Sequence, residues 1–180
     1  LWSPWTTSAG LTVGNTAPVI EDAHLTSPTL TVQDNLTLNL TSSDVDGDVL
    51  TVVSIRWFLD DVEQSIGADE TTLRASALTR GDAWHAVVAL SDGTDEVSFT
   101  TNAVTVLNSA PSVTVEWPAN ATSIQDLVPI VLTSDADGDV VSVETTWYKN
   151  GFRDATLSNL TSVPASKLAP EQSWRLVVQV

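Results

Sequence analysis

The sequence has no cysteine and no methionine, a single tyrosine, two histidines, and only seven basic residues against 23 acidic ones. Without cysteine no disulfide can staple the fold, and neither a thiolate metal site nor a cysteine nucleophile is available. The net charge of −16 argues against nucleic acid and against anionic membrane surfaces as partners. It suits a soluble extracellular chain, a halophile's surface or a binder of divalent cations. No stretch approaches the ~18 consecutive apolar residues of a membrane-spanning helix. The start, LWSPWTTSAG, has neither a basic beginning nor a long apolar run, so it does not read as a signal peptide. With no methionine at position 1, a processed or excised N-terminus is expected. The two histidines, His24 and His85, sit in unrelated contexts. There is no nucleotide-binding loop, no HExxH and no recognisable acid pair, and the many Ser and Thr lack a base, so no enzyme is expected.

The chain does contain a repeat. VGNTAPVI (13–20) returns as LNSAPSV (107–113), SSDVDGDVLTVVSIRWFLDD (42–61) as TSDADGDVVSVETTWYKNG (133–151), and AWHAVVAL (83–90) as SWRLVVQV (173–180). The repeating unit is therefore about 93 residues, an ordinary size for one β-sandwich domain. Local patterns are β. LTLNLT (36–41) alternates, with Leu36, Leu38 and Leu40 on one face. LTVVSIRWF is rich in β-branched and aromatic residues. WYKNGF reads as a tight hairpin through Asn150-Gly151, with LDD (59–61) in the same place in the first copy. Residues 71–80, TTLRASALTR, fit a short crossing strand or a helical turn equally. Trp57, Trp147, Trp84 and Trp174 recur at matched positions and read as core anchors. Trp2, Trp5 and Trp117 have no matched partner.

These tandem blocks open on NTAP, carry SDVDGDVL, then Trp, then GDAWHAVVALSDG, and close on AVTVLN. They resemble the immunoglobulin-like repeats of large archaeal and bacterial surface and filament proteins, related in plan to polycystic-kidney-disease and cadherin-like domains. The resemblance implies an all-β chain of two tandem immunoglobulin-like antiparallel sandwiches. It leaves function open, because such repeats build stalks, adhesins, surface layers and filaments alike.

The two copies differ at their ends. Domain 1 (15–107) has a last strand, VSFTTNAVTVL (97–107), the G strand of a seven-strand count. Domain 2 (108–180) stops at the strand before it. At the other end, TSAGLTVGNTAP (7–18) aligns with TTNAVTVLNSAP (100–111). Residues 1–14 therefore read as a G-type strand and linker, with Trp5, Ala9, Leu11 and Val13 apolar at odd positions. A sandwich short of one strand exposes apolar interior and unpaired backbone groups. Fourteen extended residues span only ~46 Å, so donation to the next copy is expected rather than folding back. Such contacts are heterologous and head to tail, and they generate a filament. A piece cut from a longer repeat protein at this register would look the same, and both readings stand at this stage.

DVDGD places Asp44, Asp46 and Asp48 within five residues, and DADGD places Asp135, Asp137 and Asp139 likewise. Clustered carboxylate oxygens suit calcium. The spacing departs from the EF-hand, with Gly fourth rather than sixth and no Glu twelve residues on. Asp92, with Asp95, is expected to join the first cluster beside the linker 15–18, where a cation would stiffen the junction between successive domains. A solvated acidic turn is the plainer alternative. Sequons at Asn35, Asn39, Asn120 and Asn159 imply N-linked glycans. The functional expectation is a glycosylated, calcium-binding structural subunit of an extracellular, pilus-like filament or cell-surface array, partnered by copies of itself. The alternative is a fragment of a repeat adhesin or stalk that binds surface glycans or partners.

Overall fold

The computed structural model describes residues 4–26 and 29–180. Trp2 lies outside the described residues. The chain is all-β and divides into two compact units, Leu1–Leu107 and Asn108–Val180.

In unit 1, β1 (Val19–Thr26) pairs with β2 (Leu36–Ser43), and β2 pairs with a short strand further along. The second sheet is built on β3 (Thr51–Leu59) with β4 (Val62–Gln64). Asp60 and Asp61 turn the chain between β3 and β4, both with positive φ, 48° and 65°. Leu59 then faces Val62 across the two-residue turn, the geometry that matches strand twist. Residues 71–80 supply both expected shapes: the short strand β5 (Thr72–Leu73) on β2, then one 3₁₀ turn at Ala75–Ala77. β6 (Ala83–Ser91) pairs with β3 on one side and with β7 (Glu96–Thr100) and β8 (Val104–Thr105) on the other.

Alternation along these strands sends Ala23, Leu25, Leu36, Leu38, Ile55, Trp57, Trp84, Ala86 and Val88 into one buried cluster. Trp57 is fully buried and donates its indole N–H to the Glu70 carbonyl at 3.0 Å, so its polar edge costs nothing on burial. The closing segment is broken rather than one strand. Thr101 is buried, and its N–H and hydroxyl bond the Ala86 carbonyl and amide at 2.9 and 3.0 Å. Beyond it the inward side chains are Val104 and Val106, so the alternation has slipped by one residue.

In unit 2, β9 (Ser112–Glu116) pairs with β10 (Ile130–Ser134), and β11 (Glu144–Lys149) pairs with β12 (Phe152–Arg153) and β13 (Trp174–Gln179). Asn150 and Gly151 make the hairpin turn at φ 49° and 87°. Trp147 repeats Trp57 down to its hydrogen bond, donating to the Leu160 carbonyl at 2.8 Å. Trp117 packs edge-on against Trp147 with centroids 6.1 Å apart, which gives a place to one of the three unmatched tryptophans. Two 3₁₀ turns, Ala155–Leu157 and Ala165–Lys167, carry the crossing between β12 and β13. Lys167 lies 2.8 Å from Asp154 and, with Thr156, holds that carboxyl down to about 2.

Candidate functional site

The Asp-rich turns follow β2 and β10. In the first, the Asp44 carboxylate accepts the N–H groups of Asp46 at 2.8 Å and Asp48 at 3.3 Å, and Gly47 (φ 79°) lets the chain reverse. In the second, Asp135 accepts from Asp137 at 2.9 Å and Asp139 at 3.1 Å, with Gly138 at φ 81°. Asp is used first because its short side chain reaches backbone amides two and four residues on. The central Asp of each turn faces the linker. Asp46 accepts the Thr16 N–H at 2.7 Å, and Asp137 accepts the Ser109 N–H at 2.5 Å. Each unit thus clasps its own incoming segment with the same bond.

Within each turn, one oxygen from each of the three carboxylates lies within 4.8 Å of the others. One buried carboxylate oxygen in each turn has no hydrogen-bond partner among the described residues, Asp44 Oδ2 in unit 1 and Asp137 Oδ1 in unit 2. Three acids this close, with one oxygen orphaned, form a donor set of the kind hard cations take.

Asp92 does not belong to that set. One of its oxygens accepts the N–H groups of Thr94 and Asp95, both at 2.7 Å, and the other accepts from the Asn15 side chain at 2.9 Å. Those donors, first the Asp95 amide and then Asn15, hold its carboxyl below the usual carboxylate range. Asn15 also donates to Asp95 at 2.9 Å. Asp92 and Asp95 therefore grip the linker through Asn15.

All four sequon asparagines are exposed. Asn39 projects from β2 between Leu38 and Leu40, as alternation requires. Asn35 and Asn159 have a second task, each accepting a backbone N–H, from Ala75 at 2.9 Å and Thr145 at 3.2 Å.

The second candidate feature is an edge. Among the described residues β13 pairs with β11 only, whereas β6, its counterpart in unit 1, is paired on both sides. The cores differ accordingly. Trp84 is 2% exposed in unit 1, while Trp174 and Leu176 are only half-buried in unit 2. The leading segment has the opposite defect. Residues 4–18 form no strand, and Trp5, Leu11 and Val13 are 98%, 95% and 90% exposed. Ala9 is exposed as well. The amide clasp by Asp46 and the slip at Thr101 escape a reading of the sequence; only the repeat alignment of Thr16 with Ser109 hints at the first.

No protein-family model and no curated protein matches the sequence. Among solved structures, the chain is similar to Sidekick-1 immunoglobulin domains 1–5, with 15% identity and a TM-score of 0.31, covering 93% of this chain and 39% of that one. It is also similar to the fibronectin(III)-like modules of Clostridium thermocellum CbhA, with 15% identity and a TM-score of 0.27, covering 89% of this chain and 83% of that one.

Proposed function

We propose that the chain is a structural subunit of an extracellular filament or surface array, and that its copies join head to tail by strand donation. The segment around Leu11–Val13 of one copy adds to the free edge of β13 in the next. The observation that carries this reading is a complementary pair of defects. Among the described residues, β13 of unit 2 has an unpaired edge beside a half-buried tryptophan, and Trp5, Leu11 and Val13 of the leading segment are almost fully exposed. Strand addition removes both, through main-chain hydrogen bonds along the edge and burial of alternate side chains. The exposed sequons and the acidic surface support an extracellular setting.

The test is size in solution. The 1–180 chain is expected to sediment as a concentration-dependent series of head-to-tail polymers, and the chain without residues 1–14 as a monomer. A monomer at every concentration, or polymers indifferent to the deletion, would end this reading.

Calcium is the cation proposed for the two Asp turns, held by Asp44, Asp46 and Asp48 and by Asp135, Asp137 and Asp139. Its chemistry there is charge neutralisation. Calcium is expected to raise the melting temperature of the wild-type chain and to leave that of an Asp44→Asn/Asp135→Asn double variant unmoved. Asn keeps the carbonyl that caps the turn but removes the charge. Equal response of the two chains to calcium rules the ion out.

A further inference from the structure

Unit 1 carries its own closing segment, and so shows how such a segment seats. Val106 is 1% exposed in the cluster that holds Leu36, Leu78 and Trp84. Its N–H donates to the Asp82 carbonyl at 2.8 Å and its carbonyl accepts from the Gly81 N–H at 2.9 Å, while the Leu107 N–H reaches the Leu30 carbonyl at 2.7 Å. Val106 thereby plugs the end of the sandwich beside Trp84.

The turn that receives Val106 is repeated in unit 2. Asp82 caps the Thr79 N–H at 2.9 Å, and Gln172 caps the Ala169 N–H at 3.0 Å. Gly81 and Glu171 both have positive φ, 95° and 66°. Leu36, Leu78 and Trp84 correspond to Leu127, Leu168 and Trp174. In unit 2, however, these three residues with Ala121 and Gln172 line a cavity of about 390 Å³. The Glu171 N–H and Gln172 carbonyl, the counterparts of the two groups that hold Val106, have no partner among the described residues.

Resting on the strand-donation reading above, we infer that this cavity is the acceptor slot, and that Val13 of a second copy is the side chain that fills it. The repeat aligns Val13 with Val106 and Leu11 with Val104. The Val13 N–H then donates to the Gln172 carbonyl, and its carbonyl accepts from the Glu171 N–H. Unit 1 pairs Trp84 with Val104 and Ala83 with Thr105, so Leu11 lies opposite Trp174 and Thr12 opposite Ser173. The slip at Thr101 carries over to Ser8. It turns Leu11 and Val13 inward and leaves Ala9 and Trp5 at the positions of the exposed Asn102 and Ser98. The occupant is a second copy because the segment that matches the slot is the chain's own, identical at Val13 and Val106 and branched aliphatic in both at Leu11 and Val104.

The register is tested by disulfides in the full chain, which has no cysteine of its own. Directly opposed residues in an antiparallel pair bring their Cα atoms to about 4.5–5.5 Å, within the span of a disulfide. A Thr12→Cys/Ser173→Cys chain is expected to give an intermolecular ladder on oxidation, and an Ala9→Cys/Ser173→Cys chain, some 10 Å out of register, to give none. Both Thr12 and Ser173 are exposed, so neither change threatens folding. Val13→Asp is expected to raise the concentration for half-assembly about tenfold or more. A ladder from Ala9→Cys but not from Thr12→Cys overturns the register and leaves strand donation standing. An internally linked monomer from Thr12→Cys/Ser173→Cys overturns the second copy as occupant. No ladder from either pair, with Val13→Asp assembling normally, overturns slot and donation together.

Discussion

Replacing Trp147 with alanine is expected to unfold unit 2 while unit 1 stays folded. The side chain is completely buried, and among the described residues the buried apolar cluster around it is small, consisting of Leu127, Leu157 and Val163. Trp117 and Trp174 both pack edge-on against it, at 6.1 and 6.4 Å between centroids. Alanine there removes the centre of the cluster and both aromatic contacts, and takes from the Leu160 carbonyl one of its two donors, the Thr145 hydroxyl at 2.9 Å being the other. Losses for buried Trp→Ala run to about 3–5 kcal/mol. A small sandwich open along one edge has little more than that to lose. Tryptophan fluorescence and thermal melts check it. One transition should survive, that of unit 1, whose core shares no residue with unit 2's. A Trp147→Ala chain that keeps both transitions would show that unit 2 is held by something other than this cluster.

The second large effect is at Val106. Val106→Asp is expected to cost unit 1 about 3–5 kcal/mol, since an unpaired carboxylate would stand where the valine is 1% exposed. The chain escapes that cost by releasing the segment from Val104 onward. Leu36, Leu78 and Trp84 then line an open notch, as Leu127, Leu168 and Trp174 do in unit 2. Hydrogen exchange should show the amides of Gly81, Val106 and Leu107 losing protection before those of β3 and β6. Protection lost uniformly across unit 1 would mean that the segment is not a separable plug.

Much of this architecture is legible in the sequence because it rests on local chemistry. Asp60-Asp61 and Asn150-Gly151 tolerate positive φ, and both make two-residue hairpins. The recurring tryptophans mark the strands that face the core. Asp-X-Asp-Gly-Asp reads as a turn whether or not it holds an ion. What escapes the sequence depends on groups brought together from afar. The Asp92 side chain is spent on Asn15 and on its own turn, which no spacing rule reveals. The period-two pattern through Trp5, Ala9, Leu11 and Val13 treats residues 5–13 as one strand. The matching stretch of unit 1 breaks at Thr101, whose hydroxyl stands in for a strand neighbour and shifts the phase. A hydroxyl doing backbone work leaves no mark in hydrophobic periodicity.

The bare flank of β13 offers amides and carbonyls that any extended peptide can meet, so the ribbon itself exercises no choice. On the strand-donation reading, discrimination would fall to the notch beside Trp174, whose apolar lining of Leu127, Leu168 and Trp174 favours an apolar side chain over a charge. Fidelity of joining would then reside in Leu11, Val13 and the few residues that enclose them. Elsewhere along the ribbon the donor's sequence would be free to drift.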